Sequence, residues 1–527
     1  MRLGRLLFDE LAAAGVRHLF GIPGDMALNL FRAAEESPVR IVTTTNELTA
    51  GYAADFYARA NGLGVLVVTF NVGTLSALNA VAEAMAERSP LLIVMGAPGR
   101  GERRGPVALH HETVHDPRGG ATTQSRVYQA AGVRRFGPNQ VSQAIAYVKR
   151  ACRPAFIEIP RDLADTDVPQ EPAPSEIPDG VEEAAGFVRE RLRGAHRPVL
   201  IAGTETSRYG LNDALVRWAE RLQVPVVGTM LGKSAFPEVH PLYCGVYFGQ
   251  FSECNRDLVA ESDCVINVGE QWTDFNLGLG TSPLNYAEVL HLTGAGVFYK
   301  GDRVLRTPLS QLLPALADQL WKPAWQRERA RDVEQPRRFG LSYLASAMPE
   351  DVLRDLNLVV DVGDSFMLAT LVRMPRVNSF FMSPYYASMG MSVPGALGVT
   401  LAAGRRSVVV IGDGSFQMGM GAVSDCVRHA AHPILILLNN RSYATLRVME
   451  ATDHPYLSLP AFDYVALGTA LGCRAARARS PHEFDAAWQA ALRDREHTHL
   501  IEMVLSDHQI SEPGQVFCDE LRKHVKG

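Results

Sequence analysis

Short apolar runs and longer amphipathic stretches alternate along most of this 527-residue chain. The apolar run Gly64–Thr69, for example, is followed by the helix-like stretch Leu75–Glu87 and then by the apolar run Leu91–Met95. Consecutive parallel strands need a crossover connection, which is usually a helix and is almost always right-handed. The alternation therefore predicts an α/β fold in which helices flank parallel sheets.

Two segments interrupt this alternation and are typical of linkers. Asp165–Gly180 is rich in proline and acidic residues, whereas Trp321–Gly340 is strongly charged and contains two prolines. Neither segment has a hydrophobic period that could bury one face. The sequence thus predicts three domains, at residues 1–165, 181–320 and 341–527, each with a central parallel sheet.

Composition excludes several classes of protein. Hydrophobic residues make up 47% of the chain and charged residues 21%, so the chain is not intrinsically disordered, and a net charge of −5 argues against binding nucleic acid. The seven cysteines contain no CxxC pair, which leaves no zinc knuckle or dithiol redox motif. No apolar run reaches the roughly 18 residues of a membrane span, and the N-terminus lacks the apolar core of a signal peptide. We expect a cytoplasmic protein without nucleic-acid or membrane partners.

The strongest chemical motif lies in the last third of the chain. An apolar strand, Ser407–Ile411, runs into Gly412–Ser415 (GDGS), and a second apolar strand, Ile434–Leu438, runs into Asn439-Asn440. Ligands of open α/β sheets bind at the carboxyl ends of the strands, where these polar residues fall. Asp413 and Asn440 offer the oxygen atoms that Mg²⁺ prefers, and glycines allow the backbone to approach phosphate oxygens. The spacing therefore predicts a site for Mg²⁺ and a diphosphate.

GDGS followed by NN resembles the signature of thiamine diphosphate-dependent enzymes, and the resemblance extends over nearly the whole chain. Further matching segments are Phe20–Asp25, Thr45–Leu48, Ala50–Asp55, Ser76–Asn79, Gly96–Pro98, Ser388–Gly390 and Val393–Gly398. His110-His111, downstream of Gly96–Pro98, is similar to the pair in 2-oxo acid decarboxylases, the group that includes pyruvate, indolepyruvate and phenylpyruvate decarboxylases.

The resemblance implies a pyrimidine-binding domain, a middle domain and a diphosphate-binding domain, in that order. It also implies thiamine diphosphate and Mg²⁺ as cofactors and a small 2-oxo acid as substrate. In these enzymes the cofactor lies between the pyrimidine-binding domain of one subunit and the diphosphate-binding domain of another. The expected assembly is therefore a homodimer or homotetramer with active sites at the subunit interface.

Four residues are implied to take part in catalysis. Glu47 would hydrogen-bond the pyrimidine ring of the cofactor and favour the tautomer that removes the thiazolium proton. Asp25, His110 and His111 match the residues that handle protons during aldehyde formation, and a histidine titrates near neutral pH.

Other residues are implied to hold the cofactor and the metal. Met389 would be the bulky side chain that bends the cofactor, and Ala387 would offer its carbonyl to the pyrimidine amino group. Ser442 would offer a carbonyl to the metal beside Asp413 and Asn440; the family usually has glycine there, a departure that matters little if only the carbonyl is used. The remaining expected cofactor contacts are Asp364, Gly414, Ser415, Tyr443 and Leu446.

A competing motif occurs at His111–His115, which matches the HExxH pattern of zinc proteases. That chemistry needs a helix to place both imidazoles on one face. The surrounding segment, Pro98–Gly120, is rich in glycine and proline and is predicted to be a loop. We therefore interpret the pattern as accidental.

The main departure from the decarboxylases is Leu446, which stands six residues after Asn440 where they commonly carry a proton-transferring glutamate. Glu450, one helical turn later, and Asp274 in the middle domain are alternative sources of that carboxylate. Alternatively, Leu446 could line a pocket for a ring together with Met389, Met449 and Phe275. This favours an aromatic or branched substrate.

Three functions remain open from the sequence. The first is decarboxylation of an aromatic or branched 2-oxo acid, such as phenylpyruvate or indolepyruvate, to an aldehyde. The second is a carboligase of the acetolactate synthase or benzaldehyde lyase type, since slow protonation leaves time for a second carbonyl to react. The third is a non-catalytic cofactor-binding relative, which the presence of Glu47, Asp413 and Asn440 disfavours.

Overall fold

The computed structural model describes residues 1–173, 180–252, 255–317, 338–450 and 454–526. The chain divides into two compact units. The first comprises Met1–Glu176, Val393–Ser407 and Gly419–Pro433, and the second comprises Ile177–Ser392, Val408–Met418 and Ile434–Gly527.

The first unit contains a six-stranded sheet in which every pairing is parallel. Its strands are β1 (His18–Gly21), β2 (Arg40–Thr43), β3 (Gly64–Val68), β4 (Leu91–Ala97), β5 (Arg134–Phe136) and β6 (Ala155–Pro160), in the order β2-β1-β3-β4-β6-β5. Strands β3 and β4 are buried along their whole length, which explains why they are continuous apolar runs rather than alternating ones.

The second unit contains two sheets. The strands of the seven-stranded sheet are β7 (Pro198–Ala202), β8 (Val226–Gly228), β9 (Tyr243–Val246), β10 (Cys264–Val268), β11 (Leu290–Thr293), β12 (Gly296–Tyr299) and β13 (Asp302–Leu305), in the order β13-β12-β11-β10-β7-β8-β9. It is parallel except at one edge, where β11, β12 and β13 pair antiparallel.

The other sheet of the second unit has six strands. They are β14 (Asn357–Val360), β15 (Phe380–Phe381), β16 (Ser407–Gly412), β17 (Ile434–Asn439), β18 (Arg474–Ala478) and β19 (His499–Val504), in the order β15-β14-β16-β17-β19-β18. Strands β14 and β15 pair in parallel, and so do β16, β17, β19 and β18.

Helices connect most of these strands. Those that precede the seven-stranded sheet are α1 (Leu3–Ala13), α2 (Leu28–Glu35), α3 (Glu47–Asn61), α4 (Val72–Ser76), α5 (Leu78–Ala86), α6 (Thr123–Ala130), α7 (Val141–Ala151) and α8 (Val181–Arg193). The next are α9 (Thr204–Arg208), α10 (Asn212–Leu222), α11 (Arg256–Ala260), α12 (Leu309–Leu316), α13 (Leu341–Ser346), α14 (Glu350–Leu353), α15 (Leu368–Leu371) and α16 (Ser392–Ala403). The last are α17 (Asp413–Gly419), α18 (Ala422–Arg428), α19 (Ala444–Glu450), α20 (Tyr464–Ala470), α21 (Pro481–Arg493) and α22 (Glu512–Lys526).

Small residues let α16 pack closely against α3 inside the first unit. A Cβ atom at Gly398 would lie 2.1 Å from the Ala53 carbonyl oxygen, and one at Gly395 would lie 2.8 Å from the Phe56 ring. Larger side chains at these two positions would separate the helices. The glycines of the Val393–Gly398 motif therefore serve packing of the helix that carries Glu47.

The predicted α/β fold with three parallel-dominated sheets is confirmed. The predicted helix Leu75–Glu87 is divided in the structure into α4 and α5. Residues 321–337 of the second predicted linker and residues 174–179 of the first lie outside the described residues, so the proposed domain boundaries stay predictions. Within the described ranges, no helix is both long and apolar enough to cross a membrane.

Candidate active site

In the first unit, Glu47 is the first residue of helix α3, and its position is fixed from both sides. Asn46 caps the helix by accepting a hydrogen bond from the Thr49 amide at 2.9 Å. The Thr45 amide and hydroxyl both donate to Asp425 Oδ2, at 3.0 and 3.1 Å. Asp425, on helix α18 of the same unit, was not predicted from the sequence, and it anchors the backbone that precedes Glu47.

The Glu47 carboxylate lies over the start of helix α4. A Cβ atom at Gly73 would stand 3.4 Å from Glu47 Oε1, which is van der Waals contact, so this oxygen lies next to Gly73. Among the described residues, no hydrogen bond is made to the Glu47 carboxylate. A half-buried carboxylate without a partner in the described part of the chain is suited to accepting a hydrogen bond from a ligand.

Asp25, His110 and His111 lie together in the first unit, as the resemblance implied. The Asp25 carboxylate is 2.7 Å from His110 Nε2 and 3.9 Å from His111 Nε2. Burial alone would raise the pKa of Asp25, but the hydrogen bond and charge of His110 outweigh it and hold that pKa below its ordinary value. All three side chains reach solvent, so they can exchange protons with a bound molecule.

The HExxH pattern does not form a zinc site. No helix covers residues 98–122, and His111 has a backbone φ of 68°, outside the helical region. The second histidine of the pattern, His115, hydrogen-bonds Glu112 at 2.9 Å and the Gly105 carbonyl oxygen at 2.9 Å. These contacts stabilise a loop and not the helix that the HExxH chemistry needs.

In the second unit, Asp413 and Asn440 follow neighbouring parallel strands. Strands β16 and β17 pair in parallel with Gly412 opposite Leu438, which places Asp413 and Asn440 at the same end of the sheet. Asp413 accepts hydrogen bonds from the amides of Gly414 at 3.0 Å and Arg441 at 2.7 Å. Thus the GDGS turn and the NN turn are joined by one carboxylate.

Burial raises the pKa of Asp413 to about 6, even though the Arg441 and Gly414 amides favour the charged form. No ion pair to Asp413 is present among the described residues. Since a buried carboxylate is costly unless a cation compensates it, this donor set fits a divalent cation.

Asn440 and Ser442 have side chains that are already engaged. Asn440 donates from Nδ2 to the Gln509 carbonyl at 2.8 Å, and its Oδ1 accepts from the Ser442 amide at 3.2 Å. The Ser442 hydroxyl donates to the Leu457 carbonyl at 3.1 Å and accepts from Arg447 at 3.0 Å. The serine side chain is thus directed into the protein, so a metal could use only the backbone at this position.

The GDGS motif itself contributes the first turn of a helix. Helix α17 starts at Asp413 itself, and Ser415 is buried in its first turn. A Cβ atom at Gly414 would lie 2.7 Å from the Tyr443 ring and 3.3 Å from Leu459. Gly414 is therefore required for the packing of Tyr443, in addition to any contact with a phosphate group.

The loop with Ala387 and Met389 is held by a carboxylate that the sequence did not reveal. Asp361 is fully buried and accepts hydrogen bonds from the amides of Val362 at 2.8 Å, Gly390 at 3.0 Å and Ser392 at 3.0 Å. Ala387 has a φ of 57°, a left-handed conformation that is uncommon for a residue with a side chain. Ordered, strained backbone at this position is consistent with a binding loop.

Asp364 has a structural contact that was not predicted. Its carboxylate accepts hydrogen bonds from the Ser511 amide at 2.9 Å and hydroxyl at 2.5 Å, at the start of helix α22. Burial raises the pKa of Asp364 to about 6 against these bonds. The expected contact with the diphosphate stays a prediction, whereas the anchoring of α22 is what the geometry shows.

The residues that the sequence grouped with Leu446 differ in their surroundings. Leu446, on helix α19, is 47% exposed. Phe275 belongs to an aromatic cluster in which its ring centroid is 5.3 Å from Phe248, 5.9 Å from Phe366 and 5.3 Å from Phe517. Of the alternative acids, Asp274 is exposed and accepts a hydrogen bond from its neighbour, the Phe275 amide, at 2.8 Å.

Comparison with known proteins agrees with this geometry. Residues 1–121 match the N-terminal TPP binding domain of thiamine pyrophosphate enzymes, residues 187–296 the central domain, and residues 361–503 the C-terminal TPP binding domain. The chain is 30% identical to indole-3-pyruvate decarboxylase of Azospirillum brasilense, over 100% of this chain and 98% of that protein. It is also 30% identical to a probable pyruvate decarboxylase of Schizosaccharomyces pombe (95% of this chain, 92% of that protein) and to pyruvate decarboxylase of Neurospora crassa (88% and 85%).

The fold and the matched domains define a thiamine diphosphate enzyme. Within that class, the chain belongs to the 2-oxo acid decarboxylase family.

Proposed function

We propose that this protein decarboxylates an aromatic or branched 2-oxo acid to an aldehyde without oxidation, using thiamine diphosphate and Mg²⁺. The observation that carries the proposal is the placement of Asp413 and Asn440 at the ends of adjacent parallel strands, with Asp413 buried and lacking an ion-pair partner among the described residues. A buried carboxylate of this kind at the carboxyl edge of the sheet is suited to a metal-bound diphosphate.

Asp413, Asn440 and the Ser442 carbonyl would hold the metal, with Gly414 and Ser415 at the adjoining turn. When bound, thiamine diphosphate supplies the electron sink that makes loss of CO₂ possible, and the protein supplies orientation and proton transfer. Ala387 and Met389 would contact the cofactor from the loop that Asp361 fixes through Gly390 and Ser392.

Glu47 would accept the hydrogen bond from the pyrimidine ring and hold the proton needed to activate the cofactor. Two contacts of its helix support this role, because Thr45 is tied to Asp425 and Asn46 caps the helix. The carboxylate is thereby presented on rigid backbone, which is what positioned acid–base chemistry needs.

Asp25, His110 and His111 would deliver and remove protons as the aldehyde forms. The 2.7 Å hydrogen bond between Asp25 and His110 orients that imidazole. His111, 3.9 Å from the same carboxylate, gives the group a second proton carrier. The geometry of the cluster and the family resemblance both support these proposed roles.

The preference for an aromatic or branched substrate rests on Leu446. A leucine cannot transfer a proton, and 47% of it is exposed, so it is free to contact an apolar group. Met389, Met449 and Phe275 would add to this apolar surface. Each methylene-sized contact contributes about 1–3 kcal/mol to discrimination between substrates.

We further propose a homodimer or homotetramer with active sites at the subunit interface, and a cytoplasmic location. The family resemblance supports the assembly, and the composition supports the location. Light scattering after size-exclusion chromatography, with and without the cofactor, measures the mass of the assembly. A monomer that turns over substrate would contradict the proposed assembly.

The test of function is to supply phenylpyruvate, indolepyruvate, pyruvate and a branched 2-oxo acid, to measure CO₂ and to identify the products. We expect aldehyde, with higher kcat/KM for the larger substrates than for pyruvate, and loss of at least about a hundredfold in turnover in Glu47→Gln with cofactor still bound. A 2-hydroxyketone as main product would establish the carboligase instead. Cofactor binding without any turnover would mean a non-catalytic relative.

A further inference from the structure

The turn after strand β3 has a strained backbone centred on Asn71. This residue has φ 49° and ψ −67°, and the Val72 amide donates to the Phe70 carbonyl at 2.6 Å across it. These angles and this bond define the rarer, strained form of the γ-turn, which a residue with a side chain seldom adopts. Asn71 is also buried, at 2% exposure, so the strain is maintained inside the protein.

Gln124 of helix α6 maintains this conformation. The Asn71 backbone N–H donates to Gln124 Oε1 at 2.8 Å, and the Gln124 backbone N–H donates to Asn71 Oδ1 at 3.1 Å. Gln124 is itself held, because its Nε2 donates to the Gly96 carbonyl and to Glu158, both at 3.2 Å. The two residues therefore form a reciprocal pair anchored in the sheet through strands β4 and β6.

The side-chain N–H of Asn71, which Gln124 does not use, donates to the backbone of His111. Asn71 Nδ2 donates to the His111 carbonyl at 2.8 Å, and His111 has a positive φ of 68°. A non-glycine residue in this region needs support from its surroundings. The hydrogen bond from Asn71 supplies that support at the corner where His110 and His111 meet Asp25.

The same turn also borders Glu47. Val72 is the first residue of helix α4, and a Cβ atom at the next residue, Gly73, would lie 3.4 Å from Glu47 Oε1. Asn71 thus lies between the backbone beside Glu47 and the backbone that carries the histidine pair. A shift of this turn would be transmitted to both.

We propose that Asn71 is a positioning residue for the His110–His111 corner, with Gln124 as its support. Its side-chain amide fixes the left-handed backbone of His111 and so sets the direction of the two imidazoles toward Asp25. The effect on turnover rests on the proposed function of these histidines, whereas the effect on the loop does not. The strained γ-turn places the Asn71 side-chain amide within hydrogen-bond distance of the His111 carbonyl.

Two substitutions separate the effect of the hydrogen bond from Asn71 to His111 from the effect of the strained backbone. Asn71→Gly removes the side chain but suits the positive φ, so the turn itself should persist. Asn71→Asp keeps an oxygen for the Gln124 amide but has no N–H to donate to His111. Asn139→Gly is the matched control, because this half-buried asparagine of the same unit donates to Glu171 and not to His111.

Hydrogen–deuterium exchange of the peptide covering residues 107–116, in protein loaded with thiamine diphosphate and Mg²⁺, is the direct readout. The Leu109 amide, bonded to Glu112 at 3.0 Å, and the Glu112 amide, bonded to the Leu109 carbonyl at 3.1 Å, report on the ordered corner. We expect exchange of this peptide to be at least about threefold faster in both Asn71 variants than in the wild type and in Asn139→Gly. Turnover should fall about ten- to hundredfold, as misplacement of positioned groups does.

The outcomes separate the inference from the function on which it rests. Faster exchange with unchanged turnover would leave Asn71 as the positioning residue and would contradict the proposed role of His110 and His111. Unchanged exchange of the 107–116 peptide in both variants would overturn the inference. Faster exchange throughout the first unit would also overturn it, because Asn71 would then support the fold in general.

Discussion

Replacing Asp361 with asparagine should loosen the Ala387–Ser392 loop and weaken cofactor binding. Asparagine keeps one oxygen, which can still accept from the Val362 and Gly390 amides, but places an NH₂ group against the Ser392 amide. The lost hydrogen bond to a charged acceptor accounts for about 1.5–3 kcal/mol, and two buried donors facing each other add about 1–3 kcal/mol. The ordered loop should therefore be destabilised by about 2.5–6 kcal/mol.

If cofactor binding has to restore the ordered loop at a cost of half of this free energy, the Kd for thiamine diphosphate rises about ten- to hundredfold. A calorimetric titration of the apoprotein with cofactor at saturating Mg²⁺ measures the Kd. Asp355→Asn, at an exposed position six residues before Asp361, is the control and should bind the cofactor as the wild type does. Wild-type affinity in Asp361→Asn would refute the idea that the loop with Ala387 and Met389 forms part of the cofactor site.

Three further predictions concern the metal site, the pH dependence and Leu446. Asp413→Ala should abolish Mg²⁺-dependent binding of thiamine diphosphate, and calorimetry showing metal-independent binding would count against the GDGS assignment. Burial, with the nearby charge of Arg17, lowers the pKa of His18 to about 4, so the unfolded state binds the proton more readily and stability declines as pH falls from about 6.5 to about 4. The full shift corresponds to about 3 kcal/mol, and solvent screening reduces it to about 1–2 kcal/mol. His18→Phe, which preserves the edge contact with Tyr57, should remove this part of the acid sensitivity in thermal unfolding, and identical pH profiles for the two proteins would disprove it. Leu446→Glu should raise the ratio of aldehyde to 2-hydroxyketone, and a ratio equal to that of the wild type would mean that position 446 does not control protonation.

Much of the fold could be predicted because buried parallel strands are apolar along their whole length. Strands such as β3, β4 and β17 are therefore visible in the sequence as continuous runs. The antiparallel hairpin of β12 and β13 was not predicted, because Asp302–Leu305 is short and largely exposed. Strand β18 was missed for a similar reason, since Arg474–Ala478 consists of arginine and alanine only and lies at the edge of its sheet.

The candidate site was predictable where one local motif carries the chemistry. GDGS and NN lie at strand ends in the sequence and at the same end of the sheet in the structure, because β16 and β17 are neighbours. Asp361, Asp425 and Gln124 could not be found in this way. Each acts on a backbone far away in sequence, so its role depends on tertiary contacts that no local pattern encodes.

Activation of thiamine diphosphate by Glu47 is the central claim, and exchange of the cofactor's C2 proton for deuterium measures it most directly. With cofactor and Mg²⁺ bound, quenched-flow NMR should show exchange at least about a hundredfold faster in the wild type than in Glu47→Gln. Glu35→Gln, at an exposed position in the same unit, should exchange as the wild type does. Equal rates in the wild type and Glu47→Gln, with the cofactor bound in both, would contradict the account.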